Sequence, residues 1–157
     1  MNKKLFFITI ISILLDQLIK FVISHFFAVG DSLTIINNFF NITYVKNNGA
    51  AFSILQGNQI LLIIITILTI FLINYFLIKS KNITNFEVIT YGFLLGGIYG
   101  NFIDRILLGY VIDYLDFTIF GYNFAIFNLA DILIVVSIFL LLIYSFKKDD
   151  NNGRNSK

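Results

Sequence analysis

The chain carries four long runs of apolar residues separated by more polar segments. These runs cover about residues 5–27, 60–78, 86–107 and 124–146. Each is close to the roughly 20 residues that an α-helix needs to cross the hydrocarbon core of a bilayer. The pattern therefore predicts an all-α polytopic membrane protein with four transmembrane helices.

The composition agrees with this pattern and narrows the chemistry. Hydrophobic residues make up 58% of the chain and charged residues only 13%, whereas soluble domains carry about a quarter charged residues. We expect one membrane domain over residues 1–148 and a polar, disordered cytoplasmic tail over 149–157. There is no cysteine and only one histidine, His25, so no disulfide, metal site or cofactor is expected. The small net charge of +2 gives no reason to expect a nucleic-acid partner.

Basic residues orient the predicted helices, because cytoplasmic loops of membrane proteins are enriched in lysine and arginine. Most of the basic residues fall on one side if both termini are cytoplasmic, namely Lys3, Lys4, Lys79, Lys81, Lys147, Lys148, Arg154 and Lys157. The prediction is therefore N-in and C-in, with external segments at 28–59 and 108–123.

The first external segment has mixed character. Residues 32–36 and 40–45 are rich in β-branched and aromatic residues with partial alternation, which predicts short strands. Asn47, Asn48 and Gly49 are typical of a turn, and residues 50–55 resemble a short interfacial helix. Together they predict a small β-like cradle and a short interfacial helix outside the membrane.

A different interpretation of the N-terminus is a cleaved signal peptide, which Lys3, Lys4 and the apolar run 5–15 would fit. Against it, Asp16 and Lys20 lie inside a continuing apolar stretch, and no small-residue cleavage site follows. Cleavage would also leave three spans and remove the charge asymmetry.

Ionisable residues within the spans map to the middle or external half of the bundle. Asp16 and Lys20 lie four residues apart, the favoured order for a pair on one helix face. The other polar positions near the predicted external ends are Asn101, Asp104, Arg105, Asp113, Asp116, Asn128 and Asp131. A charge inside the membrane costs about 2.5–3.5 kcal/mol on insertion scales. A single shared polar site therefore explains why these residues lie at a similar depth in the membrane better than several unrelated polar positions would.

Structural explanations exist for several of these residues. Asp16 and Lys20 are typical of a salt bridge between helices, and Asp104 with Arg105 would suit anchoring at a helix end. Gly96 and Gly100 fit close helix packing, and Asp116 fits a solvated loop acid. Asp131 is the hardest to dismiss, because it has no basic partner at helical spacing.

Two carboxylates suffice for hydrolysis when they share a site, because one pKa then rises and the pair holds one proton. Asp113 and Asp131 are candidates, the ionised one activating water and the protonated one bonding the scissile carbonyl. Arg105 or an asparagine would then orient them or support the oxyanion.

Three other interpretations remain open. Lys20 would serve as a base for Ser53 or Ser32 in a serine–lysine hydrolase. Asp16, Lys20 and Asp131 would form a relay in a small proton-coupled transporter subunit. In a non-catalytic membrane scaffold, the carboxylates would only hold helices together.

Five blocks of residues resemble the lipoprotein signal peptidases, also called type II signal peptidases, and the resemblance covers nearly the whole chain. The blocks are DQLIK at 16–20, NNGAAFS at 47–53, GGIYGNFIDR at 96–105, VIDYLDF at 111–117 and FNLAD at 127–131. Their order and their positions within four predicted spans make the resemblance specific.

The resemblance implies an aspartyl endopeptidase of the bacterial inner membrane with its active site near the external face. It would cut prolipoproteins just before their diacylglyceryl-modified cysteine. It implies Asp113 and Asp131 as the catalytic pair, with a second set of residues that line or support the site, namely Asn47, Gly49, Asn101, Asp104, Arg105, Asn128, Ala130, Asp16 and Lys20. Membrane lipids and cyclic peptide antibiotics of the globomycin type are the further partners implied.

Overall fold

The computed structural model describes residues 2–49, 55–80 and 83–154, and side chains within these ranges up to residue 148. Four helices dominate it: α1 (Lys3–Phe26), α2 (Gln59–Lys79), α3 (Asn85–Leu107) and α4 (Leu129–Arg154). All four are long and apolar enough to cross a membrane, which confirms the four predicted helices. The interfacial helix predicted at 50–55 falls mostly on residues 50–54, which lie outside the described residues.

Local sequence signals start two of the helices. The Asn2 side chain accepts a hydrogen bond from the Lys4 amide at 2.9 Å and so caps α1. Thr84 and Glu87 form a reciprocal capping box at the start of α3, which satisfies amide groups that the helix itself leaves free. The polar segment from residue 149, predicted to be disordered, continues α4 as far as Arg154.

The external segments build one antiparallel sheet of order β1-β2-β3-β4, with β1 (Ser32–Ile36), β2 (Phe40–Asn47), β3 (Val111–Ile119) and β4 (Tyr122–Asn123). The first two strands confirm the prediction. The predicted β-like cradle is therefore present as a small antiparallel sheet, but the sequence predicted no strand in the second external segment, which supplies β3 and β4.

The predicted fourth span begins too early. Residues 124–128 lie outside α4, and Phe127 pairs with Leu115 of β3 instead. Apolar composition alone does not distinguish a residue that faces lipid from one that faces a sheet, so this boundary was wrong by five residues.

Close packing of α3 against α1 and α4 sets the centre of the bundle. A Cβ added at Gly96 would overlap Ser12 of α1, and one added at Gly97 would come within 2.5 Å of the Ala130 carbonyl oxygen in α4. Glycine at these positions therefore lets the three helices meet at backbone distance. Helix α2 stands apart, since Leu62 is its one buried residue.

Candidate active site

Strand β3 places Asp113 in the interior of the molecule, where its exposure is only 2%. Asn128 donates to its Oδ1 at 2.6 Å and Asn47 donates to its Oδ2 at 2.8 Å. Burial, with a further contribution from the negative charge of Asp131, raises the pKa of Asp113 to about 7. This carboxyl group therefore retains a proton at pH values where an exposed aspartate is ionised.

The first turn of α4 places Asp131 beside the same site. Asn101 of α3 donates to its Oδ1 at 2.8 Å, and the backbone amide of Asn128 donates to its Oδ2 at 3.2 Å. No ion pair involves Asp131 among residues 2–49, 55–80 and 83–154.

Asn128 connects the two carboxylates. Its Oδ1 accepts the Asp131 amide at 3.0 Å, which turns its Nδ2 toward Asp113. An asparagine side chain has distinct donor and acceptor ends, so the contact with one aspartate fixes the orientation of the contact with the other.

Asp113 and Asp131 line one cavity of about 650 Å³. Its wall is mainly apolar and comes from α2 (Ile65, Thr66, Thr69), from the N-terminal half of α4 (Ile132, Val135) and from residues 124–127. The two acids thus face a space large enough for a peptide segment, lined by groups suited to an apolar ligand.

A buried ion cluster lies behind the two aspartates. The Lys20 ammonium is 2.8 Å from Asp16 and 2.9 Å from Asp104, and all three side chains are at most 2% exposed. Lys20 also donates to Asn101 Oδ1 at 2.9 Å. The structural explanation for Asp16 and Lys20, a salt bridge between helices, is therefore present, with Asp104 as a third member.

The ion cluster holds the backbone next to each candidate acid. Asp104 accepts the amide of Ile112, the residue before Asp113, at 3.1 Å. Asp16 accepts the amide of Ala130, the residue before Asp131, at 3.0 Å. Lys20 thus binds both Asp16 and Asp104, and each of these carboxylates holds the backbone beside one candidate catalytic aspartate.

Arg105, Gly49 and Asn47 form a second support at the cavity wall. Arg105 donates to the Gly49 carbonyl at 3.1 Å, and the Gly49 amide donates to Asn47 Oδ1 at 2.8 Å. The Arg105 Nε is buried without a hydrogen-bond partner among the described residues, and the side chain lines the cavity. Arg105 thus contacts the segment at Gly49 in addition to lying at the end of α3.

Ala130 is fully buried, with 0% exposure. A Cβ built on Gly100 would lie in ordinary contact with the Ala130 Cβ, at 3.4 Å, so a side chain larger than alanine at either position would push α3 and α4 apart. Ala130 contributes to the site through its small side chain, which lets α3 and α4 pack closely.

Tyr114 contacts this site but was missed from the sequence, as was Gln17, whose Nε2 donates to Asp104 Oδ1 at 2.8 Å. The Tyr114 hydroxyl oxygen accepts the amide of Leu129, the first residue of α4, at 3.1 Å, while the Tyr114 amide donates to the Phe127 carbonyl at 3.0 Å. Tyr114, which follows Asp113 in β3, therefore connects this strand to the start of α4, the helix that carries Asp131. Only its place beside Asp113 in the chain could have drawn attention to it.

The structure leaves other candidates away from the cavity. Asp116 accepts a hydrogen bond from Thr43 at 2.7 Å, and Ser32 bonds the same hydroxyl at 2.8 Å. Ser53 lies outside the described residues. Because Lys20 is held by two carboxylates, it is a poor general base for Ser32, which disfavours the serine–lysine interpretation.

Comparison with known proteins identifies relatives of this chain. A family model described as signal peptidase (SPase) II matches residues 8–147. A lipoprotein signal peptidase of Staphylococcus aureus is 39% identical, and the match covers 100% of this chain and 99% of the relative. The corresponding protein of Staphylococcus aureus strain JH9 is 40% identical over the same shares.

Two solved structures have the same fold. One, described as a bacterial membrane enzyme determined by the in meso method at 2.3 Å resolution, matches with a TM-score of 0.89 at 38% identity, over 96% of this chain and 92% of the other. A second, described in the same way at 1.9 Å resolution, matches with a TM-score of 0.84 at 38% identity, over 94% and 95%.

Proposed function

The chain belongs to the signal peptidase II family of aspartic-type membrane peptidases, and we propose that Asp113 and Asp131 are the carboxylates that carry out its hydrolysis. The chain is a membrane signal peptidase that processes prolipoproteins. The observation that carries the proposal is the joint contact of Asn128 with both aspartates at the wall of one cavity.

Asp113 is the protonated member of the pair in this proposal. Its raised pKa, about 7, supports that role. Asp131 carries the negative charge, supported by the hydrogen bonds from Asn101 and the Asn128 amide. An acid and a base of different proton affinity at one site can serve the two halves of one hydrolysis.

The reaction then needs no covalent intermediate. Asp131 takes a proton from water as the water oxygen attacks the scissile carbonyl carbon, and Asp113 gives its proton to the carbonyl oxygen. Collapse of the tetrahedral intermediate breaks the C–N bond, and the proton held by Asp131 passes to the leaving amine. The hydroxyl proton of the intermediate returns to Asp113, so the pair ends in its starting state.

Arg105 assists by binding the peptide near the reacting carbonyl. Its guanidinium lines the cavity and its buried Nε has no partner among the described residues. A positively charged donor beside a developing oxyanion stabilises the transition state more than the ground state.

The substrate class follows from the family and the character of the cavity. The cut is made just before the diacylglyceryl-modified cysteine, so the acyl chains remain in lipid while the signal peptide occupies the apolar cavity between α2 and α4. Residues 50–55 would act as a lid that excludes water. Deletion of that segment without loss of binding or cleavage would remove the lid from the proposal.

The same proposal places the protein in the bacterial inner membrane, N-in and C-in, with the cavity at the external end. The distribution of basic residues supports it. A cyclic peptide antibiotic of the globomycin type would compete for this cavity, which is measurable as inhibition that excess substrate relieves.

A matched pair of variants on one strand tests the assignment. Asp113→Asn should abolish cleavage of a lipidated prolipoprotein, whereas Asp116→Asn, three residues along β3, should retain most activity. Mass spectrometry of the products should locate the cut before the lipidated cysteine. Equal loss in two folded variants would overturn the choice of Asp113 over Asp116. Full activity in both would remove Asp113 from the catalytic pair.

A further inference from the structure

The hairpin between β3 and β4 turns through an unusual residue. Phe120 and Gly121 are the two loop residues, and both have positive φ values, 52° and 78°. A two-residue loop with two positive φ angles is the type I′ turn, in which asparagine or aspartate normally takes the first position. In the three-residue β1–β2 loop, by contrast, the positive-φ position is held by an asparagine, Asn38, at 58°.

Phenylalanine gains nothing inside the protein at this position. Its side chain is 106% exposed, while a bulky residue at positive φ is strained. A strained and fully exposed aromatic residue points to a contact that lies outside the chain.

The residues around Phe120 extend this exposed surface. Tyr122 is 76% exposed and Phe124 is 47% exposed, and residues 117–127 contain no charged side chain. The β1–β2 turn adds Phe39, whose carbonyl accepts the Thr118 amide at 2.9 Å. We call Phe39, Phe120, Tyr122 and Phe124 the aromatic edge of the sheet.

The aromatic edge is continuous with the lipid-facing surface. Phe124 lines the same cavity as Val135, which is 66% exposed on the membrane-spanning part of α4. Only four residues lie between Phe124 and the start of α4 at Leu129. The edge therefore lies beside the end of a transmembrane helix, where aromatic side chains of membrane proteins concentrate.

One face of β1 and the neighbouring strands is polar, in contrast to the aromatic edge. Ser32, Thr34, Asn41, Thr43 and Asp116 are brought together by the strand register and by the Thr43–Asp116 hydrogen bond. This polar face is suited to water.

We propose that the aromatic edge inserts into the headgroup region of the bilayer and anchors the sheet to the membrane surface. A lipid occupant fits better than a second protein copy, because a protruding turn offers too little area for a stable protein interface. Aromatic side chains at such a boundary bury their apolar rings while nearby polar backbone stays hydrated. The proposal does not depend on the peptidase reaction.

Tryptophan fluorescence tests this directly, because the chain has no tryptophan. Phe120→Trp and Tyr122→Trp would each be reconstituted in phosphatidylethanolamine–phosphatidylglycerol vesicles that contain phospholipid brominated close to the ester groups. Thr34→Trp, at an exposed position on the polar face, is the matched control.

Both edge variants should show blue-shifted emission and strong quenching by the brominated lipid. The control should emit at longer wavelength and be quenched by an aqueous quencher instead. Two independent reporters guard against local misfolding of either variant. The proposal would be overturned if Phe120→Trp and Tyr122→Trp emitted at the same wavelength as the control and were quenched to the same extent by the brominated lipid and by the aqueous quencher.

Discussion

Lys20 lies 2.9 Å from Asn101 Oδ1, and the opposite end of that amide donates to Asp131. Because an ammonium group only donates hydrogen bonds, it holds the Asn101 oxygen on its own side and the nitrogen toward Asp131. A residue on α1 thus determines, through one side chain of α3, how a carboxylate on α4 is solvated by the protein.

Replacing Lys20 should therefore damage both stability and activity. Lys20→Met leaves Asp16 and Asp104 buried without a counter-charge, which we expect to cost about 3–5 kcal/mol in the free energy of unfolding. Denaturation in detergent would measure it. Lys4→Met, an exposed position on the same helix, is the control and should change little. Equal stabilities of the two variants would contradict the role of the ion cluster.

Tyr114→Phe should lower kcat for a lipidated prolipoprotein with little change in KM. The substitution leaves the half-buried Leu129 amide without its acceptor, which costs about 1 kcal/mol, the lower end of the range for a buried donor. It also loosens the start of α4 beside Asp131. Steady-state kinetics would separate the two constants.

Tyr44→Phe provides the control for that experiment, since Tyr44 and Tyr114 are both 4% exposed and belong to the same buried cluster. A merely structural contribution predicts similar behaviour of the two variants. A fall in kcat that is confined to Tyr114→Phe is the result that positioning of α4 predicts.

The sequence predicted the four helices because their apolar length is a local property. It also predicted β1 and β2, whose β-branched and aromatic residues alternate. Strand β3 was missed. It pairs with β2, and this pairing places Val45 opposite Asp113. That pairing brings together segments more than sixty residues apart, and no local pattern specifies it.

Motif resemblance selected most of the site residues, but most of the contacts between them were not predictable. The i, i+4 spacing predicted the pairing of Asp16 with Lys20. It gave no sign that Asp104 completes the cluster or that Asp16 binds the Ala130 amide. These contacts depend on the approach of α1, α3 and α4, which the glycines of α3 permit.

Activity should decline at alkaline pH. If Asp113 donates its proton to the carbonyl, kcat/KM should fall as pH rises above about 7, where this group ionises. A pH profile of kcat/KM with a stable substrate would show it. A profile that stays level well above that pH would contradict the assignment of Asp113 as the acid.

The ionisation of Asp113 should also make the free energy of unfolding depend on pH in a defined direction. The folded-state pKa of Asp113, about 7, exceeds the ordinary value of 3.8, so the folded protein binds more protons between these values. The free energy of unfolding should therefore decrease as pH rises through that window. Asp113→Asn should weaken this dependence in thermal unfolding scans, and an unchanged slope would show that other groups cause it.

Gly100→Ala should disturb the ion cluster without touching the cavity. The added Cβ would come within 2.5 Å of Asp16 Oδ2 and 3.0 Å of its Cγ. Overpacking of this kind costs about 1–3 kcal/mol, measurable as a lower melting temperature in detergent. A variant as stable as the wild type would mean that α1 and α3 can separate freely.

The most direct test of the catalytic pair is the rate at which purified protein cleaves a lipidated prolipoprotein, wild type beside Asp131→Asn, with folding verified by thermal unfolding. The dyad predicts that the wild type cuts before the lipidated cysteine and that the folded variant does not. Cleavage by Asp131→Asn at the wild-type rate would contradict it.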